Sequence, residues 1–342
     1  MPNRLPFMQR WVRRALVGMP NRLQQRRTLA QLPLPAAPPT ESRRSIALVL
    51  KWHAQNTPDA LAVTEASNGL PEQSLTYAEL DARSNRLAHA YAAMLGDNNP
   101  IGRIFTLALP NGIELMAAAC ACWKLGGTPQ PIDARMPAGE LKRVLDVADP
   151  IVTVGLAPME TALSARVDVP LGFEPDPCTP DAIPYGGARV PPYLKAPLSG
   201  GSTGRPKVIL STQRGEFSPH DGDFLQTGRG GAMLIPGPMS HNVPFLWGLH
   251  GLMQAKHLVI MRKFDAHDAL RLIARHRCDY TPMVPTMMQR ILQLYPPPPL
   301  EPHETHTLPQ SLSRRALFDM SDNLRCPRAS AVWQAGQRET RS

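Results

Sequence analysis

Between residues 45 and 292 apolar residues recur at two periods that alternate along the chain. "SIALVLKWHAQ" (45–55) and "LTYAELDARSNRLAHAYAAMLG" (75–96) carry them at helical spacing. In the second, Thr76 stands three residues before Glu79, the spacing of a capping box. "RIFTLAL" (103–109) is a short apolar run cut off by Pro110-Asn111-Gly112, as a buried strand would be. "IELMAAACACWKLGG" (113–127) predicts a helix closed by Gly126 and Gly127. "PIVTVGL", "KVILST", "GAMLIPG" and "HLVIM" are further strand candidates, and "DAHDALRLIARHR" predicts a helix before "DYTPMVP". Strands alternating with helices predict a layered α/β fold with a largely parallel sheet.

Composition narrows the class. The 342 residues are 43% hydrophobic and 19% charged, a globular balance with room for about two domains. The longest apolar run, "LMAAACACW", stops at Lys124, short of the ~18 residues of a membrane span, so no transmembrane segment is expected. Cys120, Cys122, Cys178, Cys278 and Cys326 form no C-x-x-C pair and join no histidine cluster. Neither a disulfide framework nor a metal site is indicated, and a cytoplasmic setting is expected.

The net charge of +9 lies mostly in the first 40 residues, which hold seven arginines and no acid. The central region is nearly balanced, so no nucleic-acid partner is expected for it. Residues 1–40 repeat Met-Pro-Asn-Arg-Leu once and end in a Pro-rich stretch. They are expected to form a disordered arm, with an anionic-surface helix or a targeting leader as the alternatives. Residues 293–342 have a proline run and no lysine, and are expected to form a disordered tail. That leaves residues 41–292 as the folded body.

One loop stands out within it. "SGGSTGRPKV", Ser199 to Val208, precedes the rest of "KVILST" and so sits beside an expected buried strand. Its glycines allow successive backbone N–H groups to point at one anion, Ser202 and Thr203 add hydroxyl donors, and Lys207 adds a compact charge. A Walker A loop is excluded because Gly204 is followed by Arg205, and no G-x-G-x-x-G spacing is present. On composition alone, a flexible Gly/Ser surface loop and a phosphate site stand level.

The order of residues in the loop resembles the phosphate-binding signature of the adenylate-forming superfamily, [ST]-[SG]-G-[ST]-T-G-x-P-K-G, with Val208 in place of the final glycine. "LTYAEL" (75–80), "WKLGGTPQPID" (123–133), "PMSHNVPF" (238–245) and "MVPTMMQRIL" (283–292) resemble further family segments in the family's order. The resemblance implies the N-terminal part of a large α/β adenylation domain, and an enzyme that joins a carboxylic acid to ATP and then passes the acyl group to coenzyme A. It implies that Ser199, Gly200, Gly201, Ser202, Thr203, Gly204 and Lys207 hold the ATP phosphates, that Lys207 and His241 serve the chemistry, and that His241 lies near the reacting carboxylate. ATP, Mg2+ and coenzyme A are the implied cofactors and co-substrates. His-Asn-x-Pro-Phe at 241–245 resembles ligases of the fatty-acid or bile-acid type, and Phe245, Leu246, Trp247 and Met253 fit an apolar acyl wall as well as they fit a core.

After Leu292 the family's aromatic-Gly-x-Thr-Glu segment, ribose-binding aspartate, hinge and C-terminal lysine do not follow, and the last lysine is Lys263. The expectation is a truncated ligase of weak or no activity. The alternative is a non-catalytic nucleotide- or acyl-binding fragment completed by a partner.

Overall fold

The computed structural model describes residues 44–66, 69–156, 166–182, 189–199, 206–217, 225 and 227–294. The arm expected over 1–40 and almost all of the tail expected over 293–342 lie outside them. The described chain starts with β1 (Arg44–Ser45), α1 (Ile46–Asn56), the antiparallel strands β2 (Leu61–Ala66) and β3 (Gln73–Thr76), and α2 (Tyr77–Leu95). There follow β4 (Ile104–Leu107), α3 (Ile113–Lys124), β5 (Thr128–Pro131), α4 (Ala138–Ala148), β6 (Val152–Val154) and β7 (Val167–Val169). A hairpin of β8 (Leu198–Ser199) and β9 (Lys207–Val208) and the short β10 (Glu216–Phe217) lead to β11 (Ala232–Ile235), α5 (Asn242–Met253) and β12 (His257–Met261). The last described elements are α6 (Ala266–His276), β13 (Cys278–Tyr280) and α7 (Pro285–Leu292).

Two larger sheets result. One has the order β13-β11-β12-β2-β3 and is parallel except at its β3 edge; the other, β5-β4-β6-β7, is parallel throughout. Alternation along the strands gives each sheet two apolar faces. Met233, Ile235, Leu258 and Ile260 join Phe105 and Leu107 of the other sheet in one core with α1, α2, α3 and α5. Their neighbours Leu234, Val259 and Met261 face α6 and α7 in a second core. Beyond the four-stranded sheet, Ala108 and Ile132 pack on Leu141, Val144 and Leu145 of α4. The layers therefore run helix, sheet, helix, sheet, helix, the α/β architecture expected from the alternating pattern.

Helix α3 lies in the middle layer, and all its residues except Glu114 are buried. A helix apolar all round must be covered on every side, and the alanines at 117, 118, 119 and 121 let neighbours approach closely. It ends in a Schellman closure: Gly126 N–H donates to Trp123 O (3.0 Å) and Gly127 N–H to Cys122 O (2.9 Å), with Gly126 at φ +79°. A Cβ on Gly127 would stand 2.6 Å from the Phe105 ring, so glycine is required there for packing as well. Lys124, fully buried at the helix end, donates to Asp81 Oδ1 (2.7 Å), Asp81 O (2.9 Å) and Ser84 Oγ (2.6 Å) of α2.

The Thr76 capping box forms as the spacing predicts: Glu79 N–H donates to Thr76 Oγ1 (3.2 Å) and Thr76 N–H to Glu79 Oε2 (2.7 Å). "KVILST" departs from its expectation as a buried strand. Only Lys207 and Val208 pair with β8, and Ile209 and Leu210 are exposed.

Two histidines are held neutral by the packing. His53 Nε2 lies 3.1 Å from Met253 O while its buried Nδ1 has no partner, and burial lowers its pKa to about 4. His257, 2.7 Å from Thr64 Oγ1, is lowered to about 4 by burial and then by the neighbouring His276. Each has a folded-state pKa below its unfolded value, so stability is complete above about pH 6.5 and is lost as pH falls toward 4. Urea unfolding at pH 5 should show about 1–3 kcal/mol less stability than at pH 7, and replacing both histidines with asparagine should flatten that dependence. Thr76→Ala should cost about 1 kcal/mol in the same assay at pH 7.

Candidate functional site

In open parallel sheets ligands gather at the carboxyl ends of the strands, and here one side chain brings those ends together from both sheets. Asn111, just past β4, donates through Nδ2 to Gly237 O (2.9 Å) beyond β11 and Met261 O (3.1 Å) at the end of β12. Its Oδ1 accepts from Met239 N–H (2.8 Å). Next to it, Ile113 N–H donates to Glu65 Oε2 (3.1 Å) on β2. The sequence showed Asn111 only as a strand stop; its role as a clasp depends on partners more than 120 residues away.

The chain over 194–199 runs along the β5 edge of the second sheet. Trp123 Nε1–H donates to Leu194 O (2.9 Å), and Ala196 N–H donates to Pro129 O (3.0 Å) on β5. The β8–β9 hairpin continues from there, with Leu198 opposite Val208 and Ser199 opposite Lys207. Paired residues share a face and neighbours alternate. Leu198 packs on the Leu141 and Ile132 cluster, and Val208 packs on Ile104, Ala148 and Ala196. Lys207 is accordingly exposed on the opposite face. Val208, the one departure from the phosphate-binding signature, fills a small core that glycine would leave open.

The turn joining the two strands, including Gly200, Gly201, Ser202, Thr203 and Gly204, lies outside the described residues, as does the side chain of Ser199. What is described is the frame: two anchored strands that carry the turn between them and present Lys207 to solvent beside it.

His241 is exposed in extended backbone (φ −92°, ψ 148°) immediately before α5, and its imidazole makes no cap to the helix. Its N–H donates to Pro238 O (3.1 Å) and its carbonyl accepts from Phe245 N–H (3.3 Å). Phe245 is buried and its ring lies 6.1 Å from that of Trp123, so it belongs to the core and not to an open acyl wall; Met253 is buried as well. Asp133, just past β5, is held below the usual carboxylate range chiefly by hydrogen bonds from Arg135, with a smaller pull from the charge of His241.

Lys195 also reaches this place, inside an apolar stretch that drew no attention in the sequence. It is 7% exposed, and its Nζ donates to Asn242 Oδ1 at the first residue of α5. Burial draws its pKa down to about 8. Among the described residues no three of His, Cys, Asp and Glu gather as a metal site.

A sequence model described as AMP-binding enzyme matches residues 50–184 and 195–333. The chain belongs to the AMP-binding enzyme family. The match spans the hairpin, Asn111, His241 and Lys195, and continues past Leu292, where the recognisable segments end. Among curated relatives, the chain is 26% identical over 261 residues to a fatty acid–[acyl-carrier-protein] ligase of Mycobacterium marinum, covering 70% of this chain and 48% of that protein. It is 25% identical over 267 residues to a long-chain-fatty-acid–CoA ligase of Mycobacterium tuberculosis, covering 73% and 52%. The chain thus spans about half the length of the curated relatives it matches.

Among solved structures, an o-succinylbenzoate–CoA synthetase of Bacillus subtilis in complex with AMP superposes with a TM-score of 0.59 at 20% identity, covering 79% of this chain and 66% of that one. A fatty acyl-CoA synthetase of Mycobacterium tuberculosis gives 0.59 at 20% identity, covering 73% and 51%. These likenesses establish that the AMP-binding fold is shared.

The Asn111 clasp can be tested by stability. Asn111→Ala removes three hydrogen bonds between sheet ends and should lower the unfolding free energy by about 2–3 kcal/mol. Asn111→Asp keeps the acceptor for Met239 but sets a carboxylate oxygen against the Gly237 and Met261 carbonyls, and should be at least as destabilising as Asn111→Ala in chemical denaturation at pH 7.

Proposed function

We propose that this chain carries the ATP-phosphate and acid-binding part of a ligase that activates a carboxylic acid of the fatty-acid or bile-acid type. A carboxylate oxygen attacks the α-phosphorus of ATP, the bond to the bridging oxygen breaks, and acyl-adenylate and pyrophosphate form. The coenzyme A thiol then attacks the acyl carbon and AMP leaves. The observation that carries this reading is the anchored hairpin, which sets the phosphate-binding signature between two fixed strands with Lys207 on its solvent face. Membership in the AMP-binding family and the fatty-acyl ligases among its relatives support it.

In this proposal the N–H and hydroxyl groups of residues 199–204 and the ammonium of Lys207 meet the phosphate charge, acting by position and electrostatics. His241 stands at the N-terminus of α5, where a reacting carboxylate would be favoured by the helix dipole. Mg2+ would accompany the ATP, and coenzyme A would be the acyl acceptor. A cytoplasmic setting fits such co-substrates; among the described residues no helix is long and apolar enough to cross a membrane.

The alternative reading is a nucleotide- and acyl-binding unit that turns over only with a partner. Two measurements on the full chain separate them. ATP binding by calorimetry should be weakened about tenfold or more in Lys207→Ala, the loss of one charge-assisted hydrogen bond. Unchanged affinity would remove the phosphate-loop assignment. Acid-dependent exchange of pyrophosphate into ATP indicates the ligase, whereas ATP binding without exchange indicates the binding unit.

A further inference from the structure

Among the described residues three lysine side chains are buried, and the fold treats one of them differently. Lys124 is paired with Asp81 at 2.7 Å and bonded to a backbone carbonyl and a hydroxyl. Lys256 is paired with Asp279 at 2.9 Å and bonded to Gly230 O at 2.7 Å. Lys195, 7% exposed, has only the neutral amide oxygen of Asn242, and among the described residues no carboxylate comes within ion-pair distance of it. A buried ammonium without a counter-charge is costly. Lys195 is thus the one buried lysine among the described residues whose charge the described residues leave unneutralised, which leaves an anionic ligand as its counter-charge.

The position identifies the missing partner. The Nζ atom lies at the first residue of α5, where the helix dipole also favours negative charge. Asn242 and the adjacent His241 and Val243 are exposed, so the ammonium lies just beneath an open surface. The Lys195 backbone is fixed by neighbours: its carbonyl accepts from Ser211 N–H (3.0 Å), and Ala196 N–H is tied to β5. The charge is thus held in place without a ligand. Burial alone lowers its pKa, with no neighbouring charge acting on it, whereas at Lys124 the charge of Asp81 opposes the burial.

We propose that Lys195 is the seat for the carboxylate of the acid to be activated, forming with Asn242 and the N-terminus of α5 the anion-recognising end of the acyl site. This rests on the acid-activating function proposed above. It adds a residue-level claim: binding at this end discriminates a carboxylate from an isosteric neutral group, and Lys195 is the source of the discrimination.

The test uses octanoate and octanamide, which differ at the head group only, titrated calorimetrically into the full chain. The unsubstituted protein should bind octanoate about tenfold or more tightly than octanamide, the size of one charge-assisted hydrogen bond. Lys195→Met and Lys195→Gln should lose that preference while keeping octanamide affinity within about threefold. Neither should lower the melting temperature, because no native ion pair is broken. Two neutral variants guard against one failing to fold. A preference that survives in either folded variant, or an unsubstituted protein that binds octanoate no better than octanamide or binds neither, overturns the assignment. ATP affinity of the same preparation judges the function separately. Intact ATP binding without octanoate preference sinks the Lys195 seat alone, whereas absent ATP binding sinks the ligase reading even where the head-group preference is present.

Discussion

The burial of α3 on all sides is the constraint from which the architecture follows. A helix with eleven apolar, small or otherwise buried positions out of twelve has no face to give to water, so the chain must cover it from both directions. One sheet alone offers one face. Two sheets with α3 between them, and α1, α2 and α5 beside it, complete the enclosure and produce five layers from a single requirement. The lysine that ends α3 is then trapped inside, and Asp81 and Ser84 of α2 satisfy it there. The polar contact at the helix end therefore fixes the α2–α3 packing that the apolar contacts only favour.

That enclosure also determines where a site can form. With both sheets clamped on a common helix layer, the carboxyl ends of β4, β11 and β12 lie close enough for one asparagine to join them. The 194–199 segment is tied to the β5 edge of the second sheet by Trp123, at the far end of α3, and by Pro129. The helix that organises the core thus also anchors the strand that leads into the 199–208 segment. Alternation on the hairpin does the rest, turning Leu198 and Val208 into small cores and Lys207 outward.

Much of this was legible in the sequence wherever a local signal and the tertiary demand agreed. The capping box at Thr76, the Gly126-Gly127 stop and the apolar runs of β4, β11 and β12 each carry their own physical reason and appear where predicted. Strand β5 was hidden because "TPQP" has two prolines, which argue against a ladder. It forms because it is an edge strand: Thr128 N–H and Ile132 N–H point to β4, while Pro129 and Pro131 fall at the alternate positions, where no ladder donor is needed. "KVILST" misled in the opposite sense, since apolar β-formers at 209 and 210 look buried by composition and are exposed in the fold.

The site divides along the same line. The signature loop and His241 are proposed from residue order, because their chemistry is written in contiguous residues. Asn111 and Lys195 are not, because what distinguishes each is the identity of a distant partner. For Asn111 it is three backbone groups; for Lys195 it is the lack, among the described residues, of a carboxylate such as Lys124 and Lys256 each have. Nothing in "PYLKAPL" separates its lysine from the others. Only the comparison among buried ammoniums does, since a charge with its counter-charge serves the fold, and a charge held rigidly without one is available to a ligand.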